Sequence, residues 1–417
     1  MRVLWFTNTS SNYNAKNQTI IGGGWIASLE QSITNSPEIA ELAIAFFHKK
    51  DDVKTTKNKV TYYPMPRKGR HSIISKFYYN WSHQVGLSED LQRCISVVED
   101  FKPDVIHVFG TENLFGLIAE YYPKKVIIHL QGLINPYLKA YFAPGVGYYD
   151  LLIHGNLCEH LVGIGRLHDY LRFKNLAKRE EKIFQSCRLY MGRTEWDKSI
   201  VALMAPLAEY FYCGETLREE FYNDQWQFSD KNNLTITTTI NSNLYKGLDV
   251  ILKTASLLSK ITEIPFIWNI YGIKASDSLV TLFERKLGIK FANNNVVFHG
   301  PQPSKVIVKA LLGSDVFVHP SYIDNSPNSV CEAQLIGVPV IATNVGGVGS
   351  LIENKVSGYI VPANDPYAMA YDILNLKINK DIAVLLSLEA RKIALARHDR
   401  EKILATLLGI YHKIAIV

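Results

Sequence analysis

The chain has 417 residues, 47% of them hydrophobic and 20% charged, with a formal net charge of +6. That balance excludes an intrinsically disordered chain, and the length exceeds one ordinary core, so two or three domains are expected. No run approaches the ~20 apolar residues that a membrane span needs, and the opening Val3-Leu4-Trp5-Phe6 is too short for a signal peptide. Five scattered cysteines (Cys94, Cys158, Cys187, Cys213, Cys331) without Cys-x-x-Cys spacing fit reduced thiols in a cytoplasmic protein and give no zinc framework.

Short apolar runs alternate with longer helical segments, which predicts an α/β fold with parallel sheets. In the first half strands are expected over 2–7, 42–47, 60–63, 105–109, 126–130 and 189–192. In the second half they are expected over 234–239, 267–271, 296–298, 316–318, 340–343 and 359–361. The stretch 213–231 has no clear period and predicts a boundary near Asp230: a first domain over 1–230, a second over 231–396, and a final helix over 397–417. That helix carries Ile403, Leu404, Leu407, Leu408 and Tyr411 on one face, a stripe that must be buried.

Several loops carry chemistry. Gly22-Gly23-Gly24 after the first strand permits either close approach to a phosphate or simple flexibility, and it lacks the Gly-x-Gly-x-x-Gly dinucleotide spacing. Basic clusters at 67–71 and 166–182, the second interleaved with Tyr170 and Phe173, suit an anionic lipid surface or solvated helix faces paired to Glu180 and Glu181. No nucleic-acid-binding motif accompanies them. His129 lies near the end of a predicted parallel strand, where ligands bind, although the residue alone reads first as a core histidine bonded to backbone. His107, mid-strand, reads as structural. Arg193 and Lys246 also follow strands. Taken alone, Arg193 reads as an ion pair with Glu195 or Asp197, and Lys246 as an exposed first-turn lysine.

The richest stretch is 320–353, PSYIDNSPNSVCEAQLIGVPVIATNVGGVGSLIE. Asp324 and Glu332 are eight residues apart across a predicted helix start, with Ser326 as N-cap, Pro327 at the first helical position and Gly337 at the end. Free N–H groups at Asn328 and Ser329, with Val330 beside them, then favour an anion at the helix tip. Phosphate at that tip and carboxylates nearby for hydroxyl groups suit a nucleotide sugar.

This stretch resembles the signature of the retaining glycosyltransferases of the GT-B fold, the large family numbered four: an acid, seven residues, a Glu, Gly-x-Pro-Val, a short strand and Gly-Gly. Asp324, Glu332, Gly337, Pro339, Val340 and Gly346-Gly347 match it, with Asp324 one methylene shorter than the usual Glu. The resemblance implies two doubly wound Rossmann-like domains facing a cleft, with the last helix crossing back to the first domain. It implies Gly23 and Gly24 against the donor diphosphate, and His129 and Asp324 on the sugar. Lys246 would stand on the leaving phosphate, with Asn241 where a second cation, an Arg, is usual and Arg193 as the substitute. Glu332 would hold the ribose, and Gly272, His299 and Gly300 the nucleobase. No metal and no cofactor are expected, since Asp-x-Asp is missing and the nucleotide sugar, UDP- or GDP-linked, is a co-substrate. The expected function is sugar transfer with retention to a saccharide or lipid-linked acceptor in bacterial surface-polysaccharide synthesis, by a cytoplasmic protein with peripheral contact to the inner membrane face. The alternatives are a nucleotide-sugar 2-epimerase of the same fold and a catalytically weakened carbohydrate-binding or assembly protein.

Overall fold

Continuous apolar runs bury both faces only inside a sheet covered on either side by helices. In the computed structural model, which describes residues 1–13, 24–48, 53–66, 87–153 and 157–416, they form two such sheets. The first holds β1 (Arg2–Thr7), β2 (Glu41–His48), β3 (Thr55–Lys57), β4 (Val60–Pro66), β5 (Val105–Phe109), β6 (Val126–His129), β7 (Leu189–Gly192) and β8 (Glu209–Tyr212). Its order is β3-β4-β2-β1-β5-β6-β7-β8, parallel except at β3, which pairs antiparallel with β4. The second holds β9 (Leu234–Thr239), β10 (Phe266–Tyr271), β11 (Val296–Gly300), β12 (Val316–His319), β13 (Val340–Thr343) and β14 (Tyr359–Val361). Its order is β11-β10-β9-β12-β13-β14, parallel throughout.

All twelve predicted strands form, six with the predicted bounds and six with ends shifted by one to three residues. The two additional strands, β3 and β8, lie at the edges of the first sheet, and neither is apolar enough to show as a run: Thr55-Thr56-Lys57 and the half-exposed Glu209–Tyr212. Both sheets reverse strand order at a central point, between β1 and β5 and between β9 and β12. Successive crossovers diverge to opposite faces there and open a crevice beyond the carboxyl ends of the strands.

The last helix, Arg400–Ala415, is capped by Asp399, whose carboxylate accepts the Glu401 and Lys402 N–H groups at 3.1 Å. Its buried face (Ile403, Leu407, Leu408, Ile410, Tyr411, Ile414) lies against the first domain, where Leu407 and Tyr411 join a core with Val3 and Trp5. The Tyr411 hydroxyl accepts from Trp5 Nε1 at 3.0 Å and lies 2.6 Å from His107 Nδ1, so His107 is structural. The aperiodic stretch 213–231 is also more than a tether. Leu217, Phe221 and Trp226 enter the core of the second sheet, and Trp226 Nε1 donates to Ser314 O at 2.6 Å. Its irregular pattern reflects anchoring by single side chains, not by a helical or strand face.

The basic clusters divide. Residues 67–71 lie outside the described residues, as do Gly22 and Gly23. Within the helix Arg166–Ser186, Arg166 reaches the second domain, pairing with Asp277 at 2.8 Å and donating to Ser242 O at 2.6 Å. Glu180 is fully buried and accepts the Ile134 and Asn135 N–H groups at 2.9 and 2.7 Å, so it is not a surface partner for basic residues.

A fully buried polar junction between the two domains is Asn325, whose side chain has no exposure. Thr194 Oγ1 donates to Asn325 Oδ1 at 2.7 Å, and Asn325 Nδ2 donates to Gln131 O at 3.0 Å and Asp197 Oδ2 at 3.1 Å. The Asn325 N–H donates to the Tyr137 hydroxyl at 2.8 Å. Gly346 and Gly347 let the following turn close over this point, because a Cβ there would lie 2.0 Å from Asp324 O or 2.2 Å from Asn325 O. Asn325→Ala should therefore cost about 2–4 kcal/mol, since it strands buried partners in both domains. Thermal unfolding checks this, and an unchanged midpoint would mean the junction carries little.

Burial disfavours the charged form of several core histidines. Burial lowers the pKa of His107, His319 and His398, and it pushes that of His129 down to about 3 with help from the nearby Arg193 charge. Folded pKa values below the ordinary 6.5 mean that the unfolded chain binds more protons as pH falls. Stability should be full above pH 6.5 and decline from there toward pH 3, by up to about 1.4 kcal/mol per pH unit for each such histidine. Melting curves between pH 7.5 and 5 check this, and His129→Gln should flatten the decline.

Candidate active site

The two crevices share one cavity of about 660 Å³. The first domain contributes Gly24 and Trp25, Gln131 and Gly132 after β6, Tyr137, Arg193 after β7, and Arg218. The second contributes Asn241 after β9, Lys246, Tyr271 and Gly272 at the end of β10, and Asp324, Asn328, Ser329 and Glu332 after β12. Carboxyl ends of strands supply nearly every wall, as the doubly wound topology requires.

The helix over the cavity runs Asn328–Ile336 and ends at Gly337 in a left-handed turn, φ 85°. Its start differs from expectation. Pro327, with ψ 118°, takes the cap position in place of Ser326, and Ser326 stays outside the helix. The physical reason is tethering just upstream: Asn325 is bonded into the first domain, and Arg193 Nη2 donates to Ser326 O at 3.3 Å. Proline also pushes its preceding residue away from helical angles. The Val330 and Cys331 N–H groups donate to Pro327 O at 3.0 and 3.2 Å, which removes Val330 as a free donor. Among the described residues the Asn328 and Ser329 N–H groups have no hydrogen-bond partner, so the positive end of the helix opens into the cavity through them.

Asp324 is the most heavily held group. Its Oδ2 lies 2.5 Å from Lys246 Nζ and 3.1 Å from His319 Nε2, and its Oδ1 accepts from the Tyr137 hydroxyl at 3.1 Å. Burial opposes its ionisation, but the Lys246 charge and the His319 contact hold its carboxyl well below the usual carboxylate range. Lys246 is thus an inward-turned side chain, not an exposed first-turn lysine. Glu332 meets a second cation: Arg218 Nε and Nη2 donate to the same oxygen, Oε1, at 2.9 and 2.7 Å. Burial raises the Glu332 pKa and Arg218 opposes the rise. Arg193 pairs with the buried Glu215, and not with Glu195 or Asp197. Asp197 instead accepts the Arg193 backbone N–H at 3.2 Å.

The structure brings Gly24, Arg193, Asn241, Lys246, Gly272, Asp324, Asn328, Ser329 and Glu332 to one cavity. It does not bring His129 to the wall. That ring is 1% exposed and lies behind Trp25, edge-on at 5.6 Å between centroids, with Trp25 facing the cavity. His299 is exposed and stacks on Tyr271 at 4.6 Å outside the lining, and Gly300 and Val330 are likewise off the wall. Among the described residues no group of three His, Cys, Asp or Glu side chains is arranged to hold a metal ion.

Sequence reasoning missed Tyr137, Arg218 and His319. His319 could have been found, since it ends β12 one residue before the 320–353 stretch. Tyr137 and Arg218 carry no local signal: their partners lie 187 and 114 residues away in sequence.

Comparison with known proteins agrees with this geometry. Residues 220–393 match the family model described as Glycosyl transferases group 1. The chain is 28% identical over 175 residues to a D-inositol 3-phosphate glycosyltransferase of Corynebacterium urealyticum, covering 40% of each chain. It is 24% identical over 202 residues to the amylovoran biosynthesis glycosyltransferase AmsK of Erwinia amylovora, covering 47% of this chain and 49% of that one. The chain spans about a fifth to a half of the length of the curated relatives it matches. The structure of Anabaena Alr3699/HepE in complex with UDP and glucose superposes with a TM-score of 0.64 at 16% identity, covering 99% of this chain and 100% of that one. The fold is that of GT-B glycosyltransferases, and the segment bearing Lys246, Asp324 and Glu332 is the one that matches glycosyl transferases group 1.

Proposed function

We propose that this protein is a retaining, metal-independent glycosyltransferase that moves a sugar from a nucleoside diphosphate sugar to a saccharide or lipid-linked acceptor. The observation that carries the proposal is one cavity holding two free helix N–H groups, the Lys246 ammonium, and the Asp324 and Glu332 carboxylates. Phosphate oxygens suit the Asn328 and Ser329 N–H groups and Lys246, whereas a ribose diol suits the Glu332 oxygen that Arg218 leaves open. Asp324, fixed in its ionised form, accepts hydrogen bonds from hydroxyls of the transferred sugar. The named relatives support a saccharide role, AmsK by its part in amylovoran biosynthesis and HepE by its complex with UDP and glucose.

In this reading the sugar–phosphate bond breaks first, and negative charge builds on the departing diphosphate. Lys246 and the two N–H groups stabilise that charge in a partly dry cleft, where preorganised donors act most strongly. The acceptor hydroxyl attacks the oxocarbenium-like carbon from the same face, and its proton passes to the leaving phosphate oxygen. The configuration at the anomeric carbon is retained, and no protein base is required. The donor base is uracil or guanine, and the setting is surface-polysaccharide assembly on the cytoplasmic side of the membrane. There a basic first domain would rest on anionic lipid. No helix among the described residues is long and apolar enough to cross a membrane.

Lys246→Ala should lower turnover by about 10²–10³, and it should also lower the melting temperature, because it leaves the buried Asp324 carboxylate without its cation. The assay is acceptor-dependent release of nucleoside diphosphate in the presence of EDTA. Release that needs no acceptor, or abolition by EDTA with rescue by Mg²⁺, would contradict the reading. Full activity of Lys246→Ala would remove Lys246 from the leaving-group site.

A further inference from the structure

Arg218 has entered the function so far only as the group that occupies one oxygen of Glu332. It comes from the chain after β8, between the buried Leu217 and Phe221, and its guanidinium carbon lies 4.7 Å over the Phe221 ring. Its stem passes Gly24, where a Cβ would come within 2.8 Å of Arg218 Cδ, so the glycine leaves the space that the arginine occupies. The side chain is 31% exposed, and both contacting nitrogens converge on Oε1 of Glu332. No hydrogen bond within the described residues engages Oε2 of Glu332, although the Glu332 side chain as a whole is only 10% exposed.

We propose that Arg218 is the positioning residue of the donor site: it fixes the Glu332 carboxylate by one oxygen and leaves the other oxygen to accept a hydroxyl of the nucleoside diphosphate. This rests on the reading of the cavity as a nucleotide-sugar site. Three features of the contact argue for it. Two donors on one oxygen remove the rotational freedom of the carboxylate without using its second acceptor. The positive guanidinium cancels the Glu332 charge, so an anionic diphosphate at the Asn328–Ser329 tip meets no net repulsion from below. The pair also joins the segment leaving the first sheet to the helix of the second, so the ribose acceptor is complete only when these two elements are together.

The charged surroundings of Glu332 are few. Arg218 lowers its pKa and Glu220, on the same segment as Arg218, raises it, beyond the larger effect of burial. From the helix Lys380–Arg397, Arg391 and Arg397 bond Leu335 O and Gln334 Oε1, at the far end of the Asn328–Ile336 helix. Removing Arg218 therefore leaves burial and Glu220 unopposed. The carboxylate would take up a proton at higher pH and lose its charge as an acceptor.

The test is the affinity for UDP and GDP, measured calorimetrically from pH 5.5 to 8.5 without acceptor or turnover. The proteins are the wild type, Arg218→Gln, Arg218→Lys, Glu332→Gln and the Arg218→Gln/Glu332→Gln double variant. Arg218→Gln should weaken binding at pH 7 by about tenfold or more, and its affinity should fall on acidification at a higher pH than in the wild type. Arg218→Lys should recover part of the affinity and most of the wild-type pH profile. The double variant should bind no worse than Glu332→Gln alone and should share its pH profile, in which only the titration of the nucleotide's own terminal phosphate remains. Additive losses in the double variant, or a pH profile untouched by Arg218→Gln, would overturn the positioning role. Equal affinity of wild type and Arg218→Gln would overturn it as well. A wild type that binds neither nucleotide would instead remove the donor site itself, a separate failure.

Discussion

Everything at this site depends on where Asp324 and Asn325 are held. The two residues leave β12 and must be extended, ordered and shared between domains before the helix Asn328–Ile336 can start. Asn325 commits its whole side chain to the first domain. Asp324 takes Lys246 and His319 from the second domain and the Tyr137 hydroxyl from the first. A carboxylate with three such partners is fixed in both charge and direction. The loss of any one partner would leave a buried group incompletely satisfied, which is costly. The same anchoring keeps Pro327 at the cap position and so leaves the Asn328 and Ser329 N–H groups facing the cavity.

The second constraint is charge. Three cations of the cavity each face an acid: Lys246 with Asp324, Arg218 with Glu332, and Arg193 with Glu215. Isolated charges in so enclosed a place would be strongly disfavoured, and pairing is what makes them tolerable. The pairs differ in burial. Arg193 and Glu215 are 7% and 1% exposed, a closed structural pair, whereas Lys246 and Arg218 reach open space at 14% and 31%. The proposal of Arg193 as a substitute phosphate cation therefore loses ground to Lys246 and the helix tip, because its charge is already spent on Glu215.

Much of the fold was legible because its physics is local. Buried parallel strands demand unbroken apolar runs, and all twelve runs became strands, whereas Thr55–Lys57 and Glu209–Tyr212 sit at a sheet edge where that demand is absent. The stripe on the last helix announced burial, and Tyr411 delivered it against Trp5 and His107. At the site, the 320–353 stretch was readable since its acids, glycines and helix lie close in sequence. What could not be read was contact between distant segments. Nothing around Arg218 marks it as the partner of Glu332, nor Tyr137 as that of Asp324. The end of a strand identifies His129 as near the crevice but cannot tell that Trp25 stands in front of it.

The central claim is that this cavity binds a nucleoside diphosphate, with the phosphates between Lys246 and the Asn328–Ser329 tip. Thermal unfolding of the wild-type protein with UDP, GDP, ADP or inorganic phosphate tests it most directly. A ligand present at about 100 times its Kd adds about 2.7 kcal/mol to stability. The account predicts a clear upward shift with UDP or GDP and none with phosphate alone at the same concentration. No shift with any nucleotide, while the unfolding transition itself stays cooperative, would contradict it.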